Sequence, residues 1–262
     1  MPRSLSIDRF GALVDMQSIA IIGGTGVAEL NGLERIEEHQ VNTPYGAPSR
    51  PIQEGLLDGV KVYFLQRHGS PAAIPPHRIN YRANLWALQS FGIAAIVAIN
   101  AVGGISASMK TGRLLLPDQV IDYTWGREHT FDEGLEGHLL HIDFTEPYDA
   151  ALRADLLAAA SVAGIGLEPR GVHGVTQGPR LESAAEVQRM ARDGCDVVGM
   201  TGMPEAALAR ELNVPYATVC MVVNAAAGLG DVPLTLASMR EILQREAQVV
   251  GSLLQAFLRG RA

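Results

Sequence analysis

Several times along this chain, an apolar segment of strand length runs directly into a glycine-bearing polar cluster. Ser18–Ile22 (SIAII) leads into Gly23-Gly24-Thr25-Gly26, and Val60–Leu65 (VKVYFL) into Arg67-His68-Gly69. Ala94–Ile99 (AAIVAI) leads into Asn100-Ala101-Val102-Gly103-Gly104, and Val197–Met200 into Thr201. Between these segments lie stretches with helical character. They are Asn80–Phe91, Ala150–Ala163 closed by Gly164, Ser183–Asp193 closed by Gly194, Pro204–Leu212 and Met239–Leu258. Gly171–Gln177, Tyr216–Val223 and Leu114–Ile121 read as further strands, the last interrupted by Pro117. Strands alternating with helices predict an α/β fold, with the apolar strands buried under helices.

No repeat, low-complexity tract or linker divides the 262 residues, so one domain is expected over residues 17–262. Residues 1–16 read as an added segment of unknown role, with a helix as the expected form. Charged residues make up 19% and hydrophobic ones 47%, a globular balance. The net charge of -7 disfavours a polyanionic partner such as nucleic acid, while leaving room for a small anion at a local site. No apolar run is long enough to span a bilayer and the N-terminus lacks a signal-type core, so no membrane partner and a cytoplasmic location are expected. Cys195 and Cys220 form no CxxC pair and read as small buried hydrophobes; no metal site is expected.

The polar clusters share one property: each follows a strand. In α/β sheets, the carboxyl ends of strands border the ligand crevice. GGTG alone fits an ordinary tight turn as well as a ligand loop. It fails the dinucleotide fingerprint, since GxGxxG from Gly24 needs glycine where Glu29 stands, and it lacks the Walker lysine. A short loop remains whose N–H groups and Thr25 hydroxyl could hold phosphate. Arg67 offers a planar fork suited to phosphate oxygens, although a solvated charge is the alternative when Arg67-His68 is read by itself. His77 and His141 carry little information singly. GxSxG, HExxH and cysteine–histidine signatures are missing. Phosphate-type donors without a protein nucleophile fit a reaction in which phosphate itself attacks.

Together these motifs resemble the family of trimeric purine nucleoside phosphorylases and methylthioadenosine phosphorylases. The resemblance is carried by GGTG (23–26), NTPYGAPS (42–49), RHG (67–69) and PPHRINYRANLWAL (75–88). It continues through NAVGGI (100–105), HIDFTEPY (141–148), GPRLES (178–183), DVVGMTGMPE (196–205) and NAAAGL (224–229), in family order. It implies a single α/β domain with a central, mainly mixed β-sheet flanked by helices, assembled as a homotrimer. Thr25, Arg67, His68, Ala101 (through its backbone) and Thr201 would bind phosphate. Asn100, Met200, Leu181 and Glu182 would border the nucleoside, with Leu181 where the family usually places a phenylalanine against the purine. His141 would reach a neighbouring subunit's site. His68 and Asn224 would act in catalysis. Inorganic phosphate would be a co-substrate, with no organic cofactor.

Two positions bear on the substrate. Adenine-specific members carry TDYD where this chain has Val223-Asn224-Ala225-Ala226. The Asn224 amide can donate to a 6-oxo group while its carbonyl accepts N7–H, which fits an oxopurine. Oxopurine phosphorylases commonly place a histidine against the 5′-hydroxyl, where Thr235-Leu236 aligns here. Leu236 would suit a 5′-methylthio group; ordinary helix core is its alternative reading. The expected substrate is therefore S-methyl-5′-thioinosine, giving hypoxanthine and 5-methylthioribose 1-phosphate. The alternatives are a methylthioadenosine phosphorylase, a general inosine/guanosine phosphorylase and a non-enzymatic purine-binding module.

Overall fold

The computed structural model describes residues 5–7, 13–27, 30–70, 74–134, 139–230 and 236–261. The apolar segment at 94–99 becomes part of β6 (Ile93–Gly104), the axis of the sheet. β2 (Leu13–Gly23), β5 (Val60–Gln66) and β12 (Tyr216–Ala225) supply the other long apolar strands, with β2 parallel to β5 and β6, and β12 parallel to β6. β3 (Glu34–His39) and β4 (Ile52–Leu57) extend one edge antiparallel. β11 (Val197–Gly199) pairs antiparallel with β6, then parallel with β10 (Val172–Val175), which pairs parallel with β8 (Gln119–Asp122). The sheet is mixed, as expected for the α/β class.

Side-chain alternation along the strands divides the core between two helical layers. Ile19, Ile21, Val97, Ile99, Val219 and Met221 pack with α2 (Ala150–Ala163) and α5 (Leu236–Arg259). Ala20, Ile22, Ile96, Ala98 and Tyr216 pack with α1 (Tyr81–Gln89) and α4 (Glu205–Glu211). Helix ends follow local chemistry. The Asp149 carboxylate accepts from Leu152 N–H at 2.7 Å, and Gly164, at φ 66°, closes α2. Ser183 and Glu186 form a capping box at the start of α3 (Ala184–Arg192).

Four sequence expectations change. Asn100–Gly104, read as a polar cluster that follows the 94–99 strand, lies inside β6. The segment read as an added helix contains a strand, β1 (Leu5–Ile7), paired antiparallel with the early part of β2. The single strand over 114–121 is two, because Pro117 cannot donate to a ladder. β7 (Leu114–Leu115) pairs with β12 and with β9 (Leu167–Glu168), while β8 pairs with β10. β3 and β4 have no counterpart in the sequence reading; β3 is an almost wholly exposed polar edge strand, without the apolar alternation that marks a half-buried one.

Candidate active site

β6 changes partners partway along one edge. β2 pairs with it up to Ala98, and β11 joins only at Gly103–Gly104. The open stretch between them borders a cavity of about 550 Å³, a size suited to a small organic ligand. Apart from Leu236, whose side chain lies outside the described residues, every site residue expected from sequence lines it except His141. β11 runs opposite to β6, so the chain leaving it carries Met200 and Thr201 back alongside Asn100.

One wall gathers anion-type donors. Arg67 follows β5 and is fully buried. Its Nε and Nη2 donate to the two Glu205 oxygens at 2.8 Å each, and its Nη1 donates to the Ile99 carbonyl at 2.9 Å. Glu205 also accepts from the Tyr216 hydroxyl at 2.8 Å. Burial alone would lower the Arg67 pKa; the facing Glu205 carboxylate outweighs it, and the net shift is upward. Arg67 is thus half of a buried ion pair rather than a solvated charge, with two of its five N–H donors left over. Strand alternation then turns the Ala101 N–H to the same side of β6 as the Ile99 carbonyl, into the open stretch.

Gly24 must be glycine here, because a Cβ would lie 2.4 Å from the Ile99 carbonyl oxygen and 2.8 Å from Arg67 Nη1. His68 Nδ1 lies 2.9 Å from the Ile74 carbonyl, which can only accept, so Nδ1 carries the proton and Nε2 is the free position. Burial, assisted by the Arg67 charge, holds the His68 pKa below its ordinary value, against the Ile74 hydrogen bond.

A directional chain of hydrogen bonds sets the polarity of the floor. The Thr218 hydroxyl donates to the Ala98 carbonyl at 3.2 Å and accepts from Asn100 Nδ2 at 2.6 Å. Asn100 Oδ1 therefore faces Thr201 and accepts its hydroxyl proton at 2.6 Å. The Thr201 oxygen keeps its lone pairs for a ligand, so a phosphate bound there meets it best with a P–OH. Asn100, expected to touch substrate, has both ends of its amide engaged by protein.

The rest of the lining mixes amide, carboxylate and apolar groups. Asn224 follows a bulge in β12 and donates one amide hydrogen to Ala225 O at 2.6 Å, leaving the second hydrogen and its carbonyl. Ala226 is buried against Gly103. Met200 packs on Gly178, where a Cβ would meet its sulfur at 2.6 Å. Glu182 accepts from the Thr176 hydroxyl at 2.6 Å, and Leu181 is 64% exposed. His141 is exposed and outside this cavity. Leu236 opens α5, but its side chain and residues 231–235 lie outside the described residues.

The sequence reading missed three residues around the site. Glu205 was noted only as part of a motif, with no hint that it pairs with Arg67. Arg127, between exposed neighbours in a loop, carries no local signal, yet it binds the carbonyls of Met200 and Gln177. His173 is fully buried beneath Gly199 and Gly202. Away from the site, Glu37, His39 and Glu54 lie close enough to share a cation, but Glu54 already meets Lys61 at 2.8 Å.

The Phosphorylase superfamily matches residues 18–259. A probable S-methyl-5′-thioinosine phosphorylase of Pseudomonas syringae pv. tomato is 52% identical over 87% of this chain and 93% of its own. A 6-oxopurine nucleoside phosphorylase of Pyrococcus furiosus is 44% identical over 92% of each. Among solved structures, methylthioadenosine phosphorylase from Schistosoma mansoni in complex with adenine superposes with a TM-score of 0.88 at 30% identity, covering 92% of this chain and 91% of that one.

Proposed function

The chain belongs to the phosphorylase superfamily, and from that premise we propose that it cleaves S-methyl-5′-thioinosine with inorganic phosphate. The products are hypoxanthine and 5-methylthioribose 1-phosphate. One observation carries this reading: a single cavity is lined both by Arg67, His68, Thr25 and Thr201 and by Asn224 and Ala226.

The chemistry follows from that pairing. As the N-glycosidic bond breaks, the sugar carbon becomes oxocarbenium-like and the purine takes up negative charge. Bound phosphate stabilises the cation before attacking it, and holding both reactants in one geometry supplies much of the acceleration. Arg67, through its two remaining N–H donors, Ala101 N–H, Thr25 and Thr201 bind the phosphate. Neutral His68 presents Nε2 to a protonated oxygen of phosphate or to a sugar hydroxyl. The Asn224 amide donates its second hydrogen to the 6-oxo group; N7 takes up a proton from solvent as the bond breaks, and the Asn224 carbonyl accepts the N7–H so formed. Met200, Glu182 and Leu181 border the sugar and base, and Leu236 borders the 5′ substituent. This chemistry calls for neither a metal nor an organic cofactor.

We also propose a homotrimer in which exposed His141 completes a neighbour's site, acting in the cytoplasm. Light scattering of the active species reads the assembly, and a fully active monomer excludes it. No helix among the described residues is long and apolar enough to cross a membrane.

A substrate panel tests the assignment. Methylthioinosine, methylthioadenosine, inosine, guanosine and adenosine are each supplied with and without phosphate, and free base is measured. Phosphate-dependent release from methylthioinosine at the highest kcat/KM is expected. Higher kcat/KM on methylthioadenosine overturns the base assignment, and higher kcat/KM on inosine overturns the 5′ assignment. Release without phosphate overturns phosphorolysis itself.

A further inference from the structure

We propose that Arg127 is a positioning residue for this site, a clamp that fixes the Met200–Met203 segment against the Thr176–Gln177 segment. The inference rests on the phosphorylase reading. Arg127 is 8% exposed and lies in the loop after β8. Its Nη1 donates to the carbonyls of Met200 at 2.9 Å and Met203 at 2.6 Å, and lies 3.2 Å from the Tyr81 hydroxyl. Its Nη2 donates to the carbonyls of Thr176 at 3.1 Å and Gln177 at 2.8 Å, and its Nε to Gln177 Oε1 at 3.0 Å.

Every N–H of the guanidinium is used, and four of the six acceptors are main-chain carbonyls from two separate segments. Among the described residues no carboxylate contacts Arg127, and burial depresses its pKa against the opposing influence of Tyr81 and Asp122. A buried cation without a counter-ion in contact is costly to keep, so its geometric work is what distinguishes it. Each segment carries ligand-facing groups next to the clamped carbonyls. In a trans peptide N–H and C=O point oppositely, so holding Met200 C=O turns the Thr201 N–H away from Arg127. On the other segment, Thr176 holds Glu182 through its hydroxyl and takes Gly199 O through its N–H at 2.8 Å. The clamp thereby sets the base side and the phosphate side of the cavity relative to one another. Lysine, with three donors on one atom, cannot span the same acceptors.

The test compares wild type, Arg127→Ala and Arg127→Lys. It measures kcat and both KM values, together with amide hydrogen exchange over 176–182 and 199–203, with and without a few millimolar guanidinium. In Arg127→Ala, kcat/KM for both substrates should fall on the order of 100-fold, the scale of a displacement of about 1 Å. Exchange should rise in both segments but not in α2, and guanidinium should partly reverse each change. Arg127→Lys should show the same pattern more weakly. Leu156→Ala, on the other face of the sheet, is the control: it lowers Tm without moving either KM. Wild-type kinetics and wild-type exchange in Arg127→Ala overturn the proposal, as does a lowered Tm with unmoved KM values. If Arg127→Ala does not fold, Arg127→Lys decides: raised exchange in both segments supports the clamp and wild-type exchange overturns it. A wild type without phosphate-dependent cleavage overturns the phosphorylase reading separately, and hydrogen exchange still decides the clamp.

Discussion

Removing the Arg67 side chain would strand the Glu205 carboxylate, which has no solvent exposure. Breaking a buried pair from one side costs about 3–5 kcal/mol, so Arg67→Met should lower Tm on the order of 10 °C as well as impair phosphate use. Thr201→Val keeps the shape and exchanges the hydroxyl for a methyl, so Asn100 Oδ1 loses its donor and Tm should fall. Phosphate loses one hydrogen-bond partner, worth about 1–1.5 kcal/mol, so the KM for phosphate should rise roughly tenfold while the nucleoside KM changes little. Equal effects on both KM values would remove Thr201 from the phosphate wall. Arg67 was legible in sequence as a phosphate-type group, but its partner was not, because Glu205 lies 138 positions away. Arg127 was not legible at all, since its acceptors are backbone carbonyls that any residue would supply.

Strand β12 limits how base preference can be altered. Asn224 is half-buried at the cavity and Ala226 only 3% exposed, packed against Gly103 of β6. A carboxylate at 226 would have to fit between two strands, so Asn224→Asp/Ala226→Asp should lose stability rather than switch substrate. Asn224→Asp alone should fold and shift relative kcat/KM toward methylthioadenosine by about tenfold, one unpaired buried group being worth 1–3 kcal/mol. An unchanged ratio in that variant would show that Asn224 does not read the base. The helices were the elements read most closely, α2 to the residue, because caps such as Asp149 and Gly164 are local chemistry. Leu114–Ile121 failed as a single strand because strand partners are set by chain segments far away, and Pro117 let the two halves choose different ones.

Over the whole molecule, acid stability should depend on His173. It has no solvent exposure, its Nε2 has no partner among the described residues, and burial lowers its pKa to about 4. Between about pH 6.5 and 4 the unfolded chain binds a proton there that the folded chain refuses. Stability is therefore full above about pH 6.5 and declines as pH falls, by about 3 kcal/mol at the acid end. His68, also shifted downward, adds in the same direction. Urea unfolding between pH 5 and 6.5, where most carboxylates are still ionised, should show a much shallower slope in His173→Leu. An identical slope would mean that other groups govern the acid limb.

The sequence by itself determined the α/β class, the apolar middles of the long central strands, the approximate helix boundaries and the residue types gathered towards the carboxyl ends of strands. Those properties depend on periodicity, caps and glycine turns, which act within a few residues. Tertiary structure alone decided where β6 exchanges β2 for β11, and so where the cavity opens. It also decided that Arg67 is neutralised by Glu205, that Asn100 spends its amide on Thr201 and Thr218, and that Arg127 binds two loops together. Each is a hydrogen bond between groups far apart in the chain, and donors and acceptors carry no mark of their partners until the fold brings them within 3 Å.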